Sequence, residues 1–371
     1  MKQGKLLPIV VAGILCLGLV VAILPSERTY AKPEVIKLKF ANYFPPPARH
    51  SKLSEEFIAE LEKRTGGRVK IQYFAGGSLL KAPAIYKGVV SGIADIGLAH
   101  IEYTPGRFPV TGACELPLGY PSGWVSNQVV NDFWNEFKPK EWDDVHVLWM
   151  HASTPSLIIC KKPVRKLEDM KGLTIRAPGI VGYTISALGA TPAPTPMMEV
   201  YDAIAKGVID GVNTPFETLK TFRFAEVVSY TTANWQIGNT YAFYVVMNKE
   251  SYKKLPPDLK EIFDGLCGEF KERFALMWNR IDAEGRDFAI NKGVEIIYLS
   301  PQEGARWKEA AESVVGDYVK EMVGKGYSEA EVRGWVKFIR ERINHWTQRQ
   351  IELRIKSPTG PDEMRLEQIR R

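Results

Sequence analysis

The sequence predicts an α/β protein built from two strand–helix sets. Three observations carry that reading. Strand-like and helix-like apolar spacing alternate from residue 36 to about residue 98. A second such set begins near residue 154, and one helix-compatible run near 257–290 is longer than a single domain requires.

In the first set, Ile36, Leu38 and Phe40 alternate with Lys37 and Lys39, the period of a short strand. A helix follows, with Ser51 as N-cap, Leu53, Phe57, Ile58 and Leu61 on one face, and Gly66-Gly67 as the stop. Val69, Ile71 and Tyr73 alternate again, Ala84–Ser91 suits a helix, and the run from Ile93 to Leu98 reads as a buried strand. Strand–helix–strand–helix–strand is the order of a parallel sheet. In the second set, Leu157–Cys160 and Leu173–Arg176 are strand-like, while Val181–Leu188 and Met198–Lys206 are helix-like. Tyr241–Met247 is one more apolar strand. From Pro257 to Ile290, Leu259, Ile262, Phe263, Leu266, Phe270, Phe274 and Met277 recur at helical spacing behind the punctuation of Pro256-Pro257. Such a helix reaches on the order of 50 Å, enough to brace two domains. A short strand at Glu295–Leu299 and helices near 302–323 and 328–345 complete the pattern. Beyond Trp346 the chain is charged and interrupted by Pro358 and Pro361, which reads as a loose tail.

At the N-terminus, Lys2 and Lys5 precede an uncharged apolar run from Leu6 to Leu24, and Thr29-Tyr30-Ala31 offers small residues for cleavage after Ala31. This is the layout of a secretory signal, with a retained membrane anchor as the alternative. Leu15 before Cys16 argues against a lipidated cysteine. The rest is expected to be soluble and outside the cytoplasm. The chain of 371 residues is 45% hydrophobic, which excludes wholesale disorder. Its formal charge of +6 becomes +4 without residues 1–31 (46 basic against 42 acidic), and no Lys/Arg block tracks a nucleic-acid backbone. Cys114, Cys160 and Cys267 have no close pairing and read as buried thiols.

Enzyme signatures such as GxSxG, HExxH, GxxxxGK[ST] or GxGxxG after a strand are missing, and His50, His100, His146, His151 and His345 lack ligand spacing. Nothing pairs Asp95, Asp210 and Glu217. The chemistry lies in two other segments. In the first, a strand ends at Arg176 and runs directly into Ala177-Pro178-Gly179. Ligands of open α/β sheets bind beyond the carboxyl ends of strands, and a guanidinium there presents a planar fork that matches a carboxylate. In the second, an apolar strand from Val208 ends in Asn213, Thr214, Pro215 and Phe216, amide, hydroxyl and aromatic groups suited to a small polar ligand.

Those segments resemble the periplasmic solute receptors of TRAP transporters, the DctP family. The stretches DMKGLTIRAPG, GATPAPTPMMEVYDAIAKGVIDG, FAEVVSYTT and VMNKESYKKLPPDLKEIF carry the likeness, with GGRVKIQYFAGGSL, YKGVVSGIADIGL and YTPGRFP before them. It runs colinearly over about residues 35–345. The resemblance implies a two-lobe periplasmic binding protein fold with a hinge and a long helix spanning both lobes. It implies a non-catalytic receptor in the periplasm that closes on a small organic acid and delivers it to TRAP membrane subunits, as a monomer. An ABC-type or sensory protein of the same hinged fold is the alternative. The implied division is 1–31 signal peptide or anchor, 35–153 with 242–283 as lobe I, 154–241 with 284–345 as lobe II, and 346–371 as tail.

Residue by residue, the resemblance makes Arg176 the carboxylate anchor. Asn213 and Thr214 stand where some relatives place a carboxylate that helps hold a metal, so no metal and no cofactor is expected. Ser156 stands where many relatives carry a second Arg, which favours a monocarboxylate, or a ligand with a neutral or aromatic far end. From the first lobe, Tyr43, His100 and Tyr103 follow strand ends. Phe216 and Trp235 are loop aromatics suited to wall or plug a pocket, and Met197 fills space.

Overall fold

Two mixed sheets, each covered by helices, organise residues 35–366, the part of the chain that the computed structural model describes. The segment expected to be a signal or anchor lies outside these residues. In chain order the first half comprises β1 (Ile36–Asn42), α1 (Arg49–Arg64), β2 (Val69–Phe74), α2 (Ile85–Val90), β3 (Ile96–His100), α3 (Gly123–Phe137) and β4 (Val145–Ala152). The chain then runs through β5 (Leu157–Cys160), β6 (Thr174–Arg176), α4 (Gly179–Ala187), β7 (Thr191–Ala193), α5 (Val200–Ala205), β8 (Gly211–Thr214), α6 (Glu217–Thr221) and β9 (Tyr230–Ala233). It ends with β10 (Ala242–Asn248), α7 (Lys249–Lys253), α8 (Pro257–Asn291), β11 (Glu295–Tyr298), α9 (Pro301–Gly324) and α10 (Glu329–Glu352).

The first sheet has the order β2-β1-β3-β10-β4. Its parallel core is the predicted one, with Ile36 opposite Val69 and Phe40 opposite Ile96. β10 returns to this sheet antiparallel, setting Val245 opposite both Leu98 and Trp149. The second sheet has the order β11-β9-β5-β8-β6-β7, with β6 parallel to β7 and β8, and β5 antiparallel to β8 and β9.

The chain crosses between the sheets at 153–156 and again at 234–241. These crossings lie side by side. Ser153 N–H donates to the Tyr241 carbonyl at 3.0 Å, Thr240 Oγ1 to the Ser153 carbonyl at 2.7 Å, and Ser156 N–H to the Asn239 carbonyl at 2.8 Å. α8 is the third link. Phe263 and Phe270 pack on Phe57 of α1, and Phe274 meets Trp149 of β4. Further along, Asp282 accepts the Glu217 N–H of α6 at 3.0 Å. A Cβ at Gly285 would overlap the Phe216 carbonyl, so the close approach of α8 to the start of α6 requires glycine there.

Two expectations are corrected. Helix α1 begins at Arg49 rather than after Ser51: Ser51 is buried inside its first turn, and its hydroxyl donates to the Phe44 carbonyl at 3.0 Å. The loose tail after Trp346 is instead ordered structure. α10 continues to Glu352, Gln350 is hydrogen-bonded to Ser122, Thr359 Oγ1 donates to the Pro121 carbonyl at 2.8 Å, and Met364 is fully buried. Few apolar residues suffice there because buried side-chain-to-backbone hydrogen bonds hold the segment. No helix among the described residues is long and apolar enough to cross a membrane.

Candidate functional site

Strand direction explains how the site is assembled. β6 and β8 are parallel, so Arg176 and the pair Asn213–Thr214 emerge at one edge of the second sheet, with Arg176 opposite Val212. β5 is antiparallel to β8, so its start, rather than its end, reaches the same edge: Leu157 lies opposite Thr214, and Ser156 precedes it. Four of the expected residues therefore share one edge for topological reasons.

Arg176 is only 2% exposed. Its Nε donates to the Thr195 carbonyl at 2.9 Å, and its guanidinium carbon lies 5.8 Å from the centre of the Tyr241 ring. Among the described residues, no carboxylate comes within 4.0 Å of it. A buried cation without a counter-charge is costly, and the usual remedy is an anionic partner. At the same sheet edge Ser156 Oγ, Asn213 Oδ1 and Thr214 Oγ1 are buried with no hydrogen-bond partner among the described residues. The sheet edge thus carries a donor-only guanidinium, an acceptor-only amide oxygen and two hydroxyls that can donate or accept, the assortment that a carboxylate with an adjacent polar substituent would satisfy.

The first sheet faces this edge with rings. Tyr43, just beyond β1, stacks on Phe44 and meets Tyr103 edge-on at 5.4 Å. His100 ends β3, packing edge-on against Tyr103 and against Tyr241, at 5.6 and 4.9 Å. The Tyr241 hydroxyl donates to the Asn213 carbonyl at 2.7 Å, which ties the crossing strand to the second sheet. Burial pushes the Tyr43 hydroxyl well above its ordinary range, so it is a neutral donor.

His100 Nε2 lies 2.8 Å from Glu115 Oε1, which also accepts the Ala242 N–H at 2.7 Å. This is a contact between neutral groups rather than an ion pair. Burial drives the His100 ring down to about 3 and lifts the Glu115 carboxyl to about 8. Beside them, Glu102 is lifted to about 7, chiefly by burial and then by the Glu115 carboxyl.

The remaining expected residues fall into place less directly. Met197 is buried in the turn that follows Thr195, whose carbonyl holds Arg176. Phe216 is buried at the N-terminus of α6, with its carbonyl against Gly285 of α8. Trp235 lies elsewhere, lining a surface groove with Leu118, Gln236, Gly304 and Ile343, so it is not part of this cluster. Its position in a loop carried no information on which side of the second sheet the ring would take. Asp95, Asp210 and Glu217 stay apart: Asp95 accepts Lys39 N–H, Asp210 accepts Thr174 N–H, and Glu217 is buried against α8. Among the described residues no group of His, Cys, Asp or Glu could hold a metal. Three members of the site escape a reading of the sequence: Tyr241, Glu102 and Glu115. Tyr241 opens an apolar strand run and so reads as core, and Glu102 and Glu115 are lone acids in segments without periodicity.

The chain belongs to the DctP family, the bacterial extracellular solute-binding proteins of family 7, matched over residues 43–321. A TRAP periplasmic solute-binding protein from Desulfovibrio salexigens is 35% identical with a TM-score of 0.72, over 82% of this chain and 95% of that one. A marine metagenome TRAP solute-binding protein specific for aromatic acid ligands, solved with metahydroxyphenylacetate, is 27% identical with a TM-score of 0.79, over 84% and 99%. One from Rhodoferax ferrireducens, with copurified benzoate, is 26% identical with a TM-score of 0.79, over 85% and 99%. The fold is thus the two-lobe fold of TRAP periplasmic receptors, and the family is one of receptors rather than enzymes.

Proposed function

We propose that this chain is the extracytoplasmic receptor of a TRAP transporter, and that its ligand is a small monocarboxylic acid with an aromatic or neutral far end. One observation carries the reading: a nearly fully buried guanidinium, Arg176, with no carboxylate within 4.0 Å among the described residues, set at a strand edge with three side-chain oxygens that have no partner among those residues and faced by Tyr43, Tyr103 and Tyr241. The planar fork takes the carboxylate, the Ser156 and Thr214 hydroxyls donate to its oxygens, Asn213 Oδ1 accepts from a neighbouring hydroxyl, and the rings take the apolar end. With Ser156 in place of a second cation, a second carboxylate would be desolvated without compensation. The relatives solved with benzoate and with metahydroxyphenylacetate, both aromatic acids, support this ligand class.

Binding closes lobe I (35–153 with 242–283) on lobe II (154–241 with 284–345) about the paired crossings, and the closed form is what the membrane subunits recognise. Residues 1–31 direct export to the periplasm and are removed there. The test is a thermal-shift screen of aromatic and aliphatic acids. A ligand at about 100 times its dissociation constant adds roughly 2.7 kcal/mol, which is easily read in the melting temperature. Stabilisation by aromatic monocarboxylates but not by C4-dicarboxylates is expected, and the reverse would overturn the ligand class.

A further inference from the structure

Glu102 belongs to the first-sheet half, two residues beyond β3, yet its carboxyl rests on the first turn of α4, which belongs to the second. Its Oε1 lies 3.5 Å from the Ile180 N–H. A Cβ at Gly179 would overlap the carboxyl group, and Gly179 itself has φ +57°, so the seat is shaped by a glycine on two counts. We propose that Glu102 is an interlobe latch, a side chain of one lobe that seats on the α4 N-terminus of the other only when the cleft is shut. The inference rests on the receptor reading above and specifies how the closed form is held.

The groups around the latch decide its pH response. Inward lie Glu115, His100 and Arg176. Outward, Glu102 lines a cavity of about 170 Å³ together with Tyr183, Tyr318, Glu321 and Lys325. The α4 amides favour a charged carboxylate, whereas burial and the neighbouring Glu115 disfavour it, and the second pair of influences prevails: Glu102 is raised to about 7. In the open form Glu102 returns to water and loses its proton near the ordinary glutamate range. The closed form therefore holds one proton more than the open form between roughly pH 4.5 and 7. Raising the pH through that window releases the latch, and lowering it engages the latch.

The experiment places one dye on α1 and the other on α5 and follows their separation at about pH 6 and about pH 8.5, without ligand and with benzoate as probe. In the wild type the closed population should fall as the pH rises. Glu102→Gln keeps an acceptor for Ile180 but cannot titrate, so its population should move with pH clearly less than the wild type's, leaving only what Glu115 contributes. Glu102→Ala should be more open at both pH values and bind benzoate about tenfold more weakly, the scale of one lost hydrogen bond to a charged or acidic group. A wild type indifferent to pH, or a Glu102→Gln variant that tracks the wild type, would overturn the latch. Failure of benzoate to bind the wild type would count against the aromatic-acid reading alone, because the dye separation without ligand still decides the latch.

Discussion

The two walls of the cleft differ in kind. The wall from the second sheet is polar and unsatisfied: Arg176 with a single carbonyl partner on its Nε, and Ser156, Asn213 and Thr214 with free oxygens. The wall from the first sheet is aromatic, with Tyr43, Tyr103 and His100 packed on one another and His100 kept neutral. Such a division separates two tasks. One wall holds the charge of a ligand and should set affinity, while the other fits its shape and should set selectivity.

The strongest way to break this comparison is to remove the charge. Arg176→Ala should weaken benzoate binding roughly 30-fold to a few thousand-fold, since losing one partner of a buried hydrogen-bonded pair costs about 2–5 kcal/mol. Arg176→Lys should recover only part of this, because the fork is gone. Calorimetry alongside melting curves checks both. Affinity within about threefold of wild type in Arg176→Ala would move the anchor elsewhere. A smaller loss, about tenfold, is expected from Thr214→Val, which keeps the shape and deletes the hydroxyl. Smaller still is the expected effect on the opposite wall. Tyr103→Ala should cost benzoate only several-fold and leave acetate nearly unaffected, a change in preference rather than in overall strength. Equal losses for both acids would erase the distinction between the walls.

The mildest test concerns what supports the polar wall. Glu217 and Asp282 join α6 to α8, and burial raises them to about 8 and about 7. Acids raised on folding bind more protons folded than unfolded, so their contribution is present at low pH and is lost as the pH passes through the raised values. The melting temperature should decline between about pH 4 and about pH 8 and level off above, and fall less steeply in Asp282→Asn. A flat wild-type profile would show that the pair does not bear on stability.

Much of the architecture is legible in the chain itself, because period and punctuation are local properties. The alternation from Ile36 to Phe40 and the long apolar spacing from Leu259 to Met277 correspond to β1 and α8. Between Thr104 and Ser153, where α3 and β4 lie, the apolar pattern is broken: Asn127 and Asn131 sit on the buried face of α3 because they bond backbone groups of β4. The site was legible in so far as it lies at strand ends, as Arg176, Asn213 and Thr214 do. Glu102, Glu115 and Tyr241 are set by contacts between segments more than a hundred residues apart, or across the two sheets, and local spacing does not encode those. The packed segment around Thr359 was hidden for the same reason, since its partner is the carbonyl of Pro121.

The single helix α8 meets both sheets, so it fixes angle as well as distance. Each residue of an α-helix turns the next by about 100° around its axis. One residue inserted between Met277 and Ile281 would leave Phe263 and Phe270 seated on Phe57, yet rotate Asp282 away from the Glu217 amide and put a side chain where Gly285 now admits the Phe216 carbonyl. The two halves are thus geared together, and this length of chain can drift in composition far more freely than in number of residues.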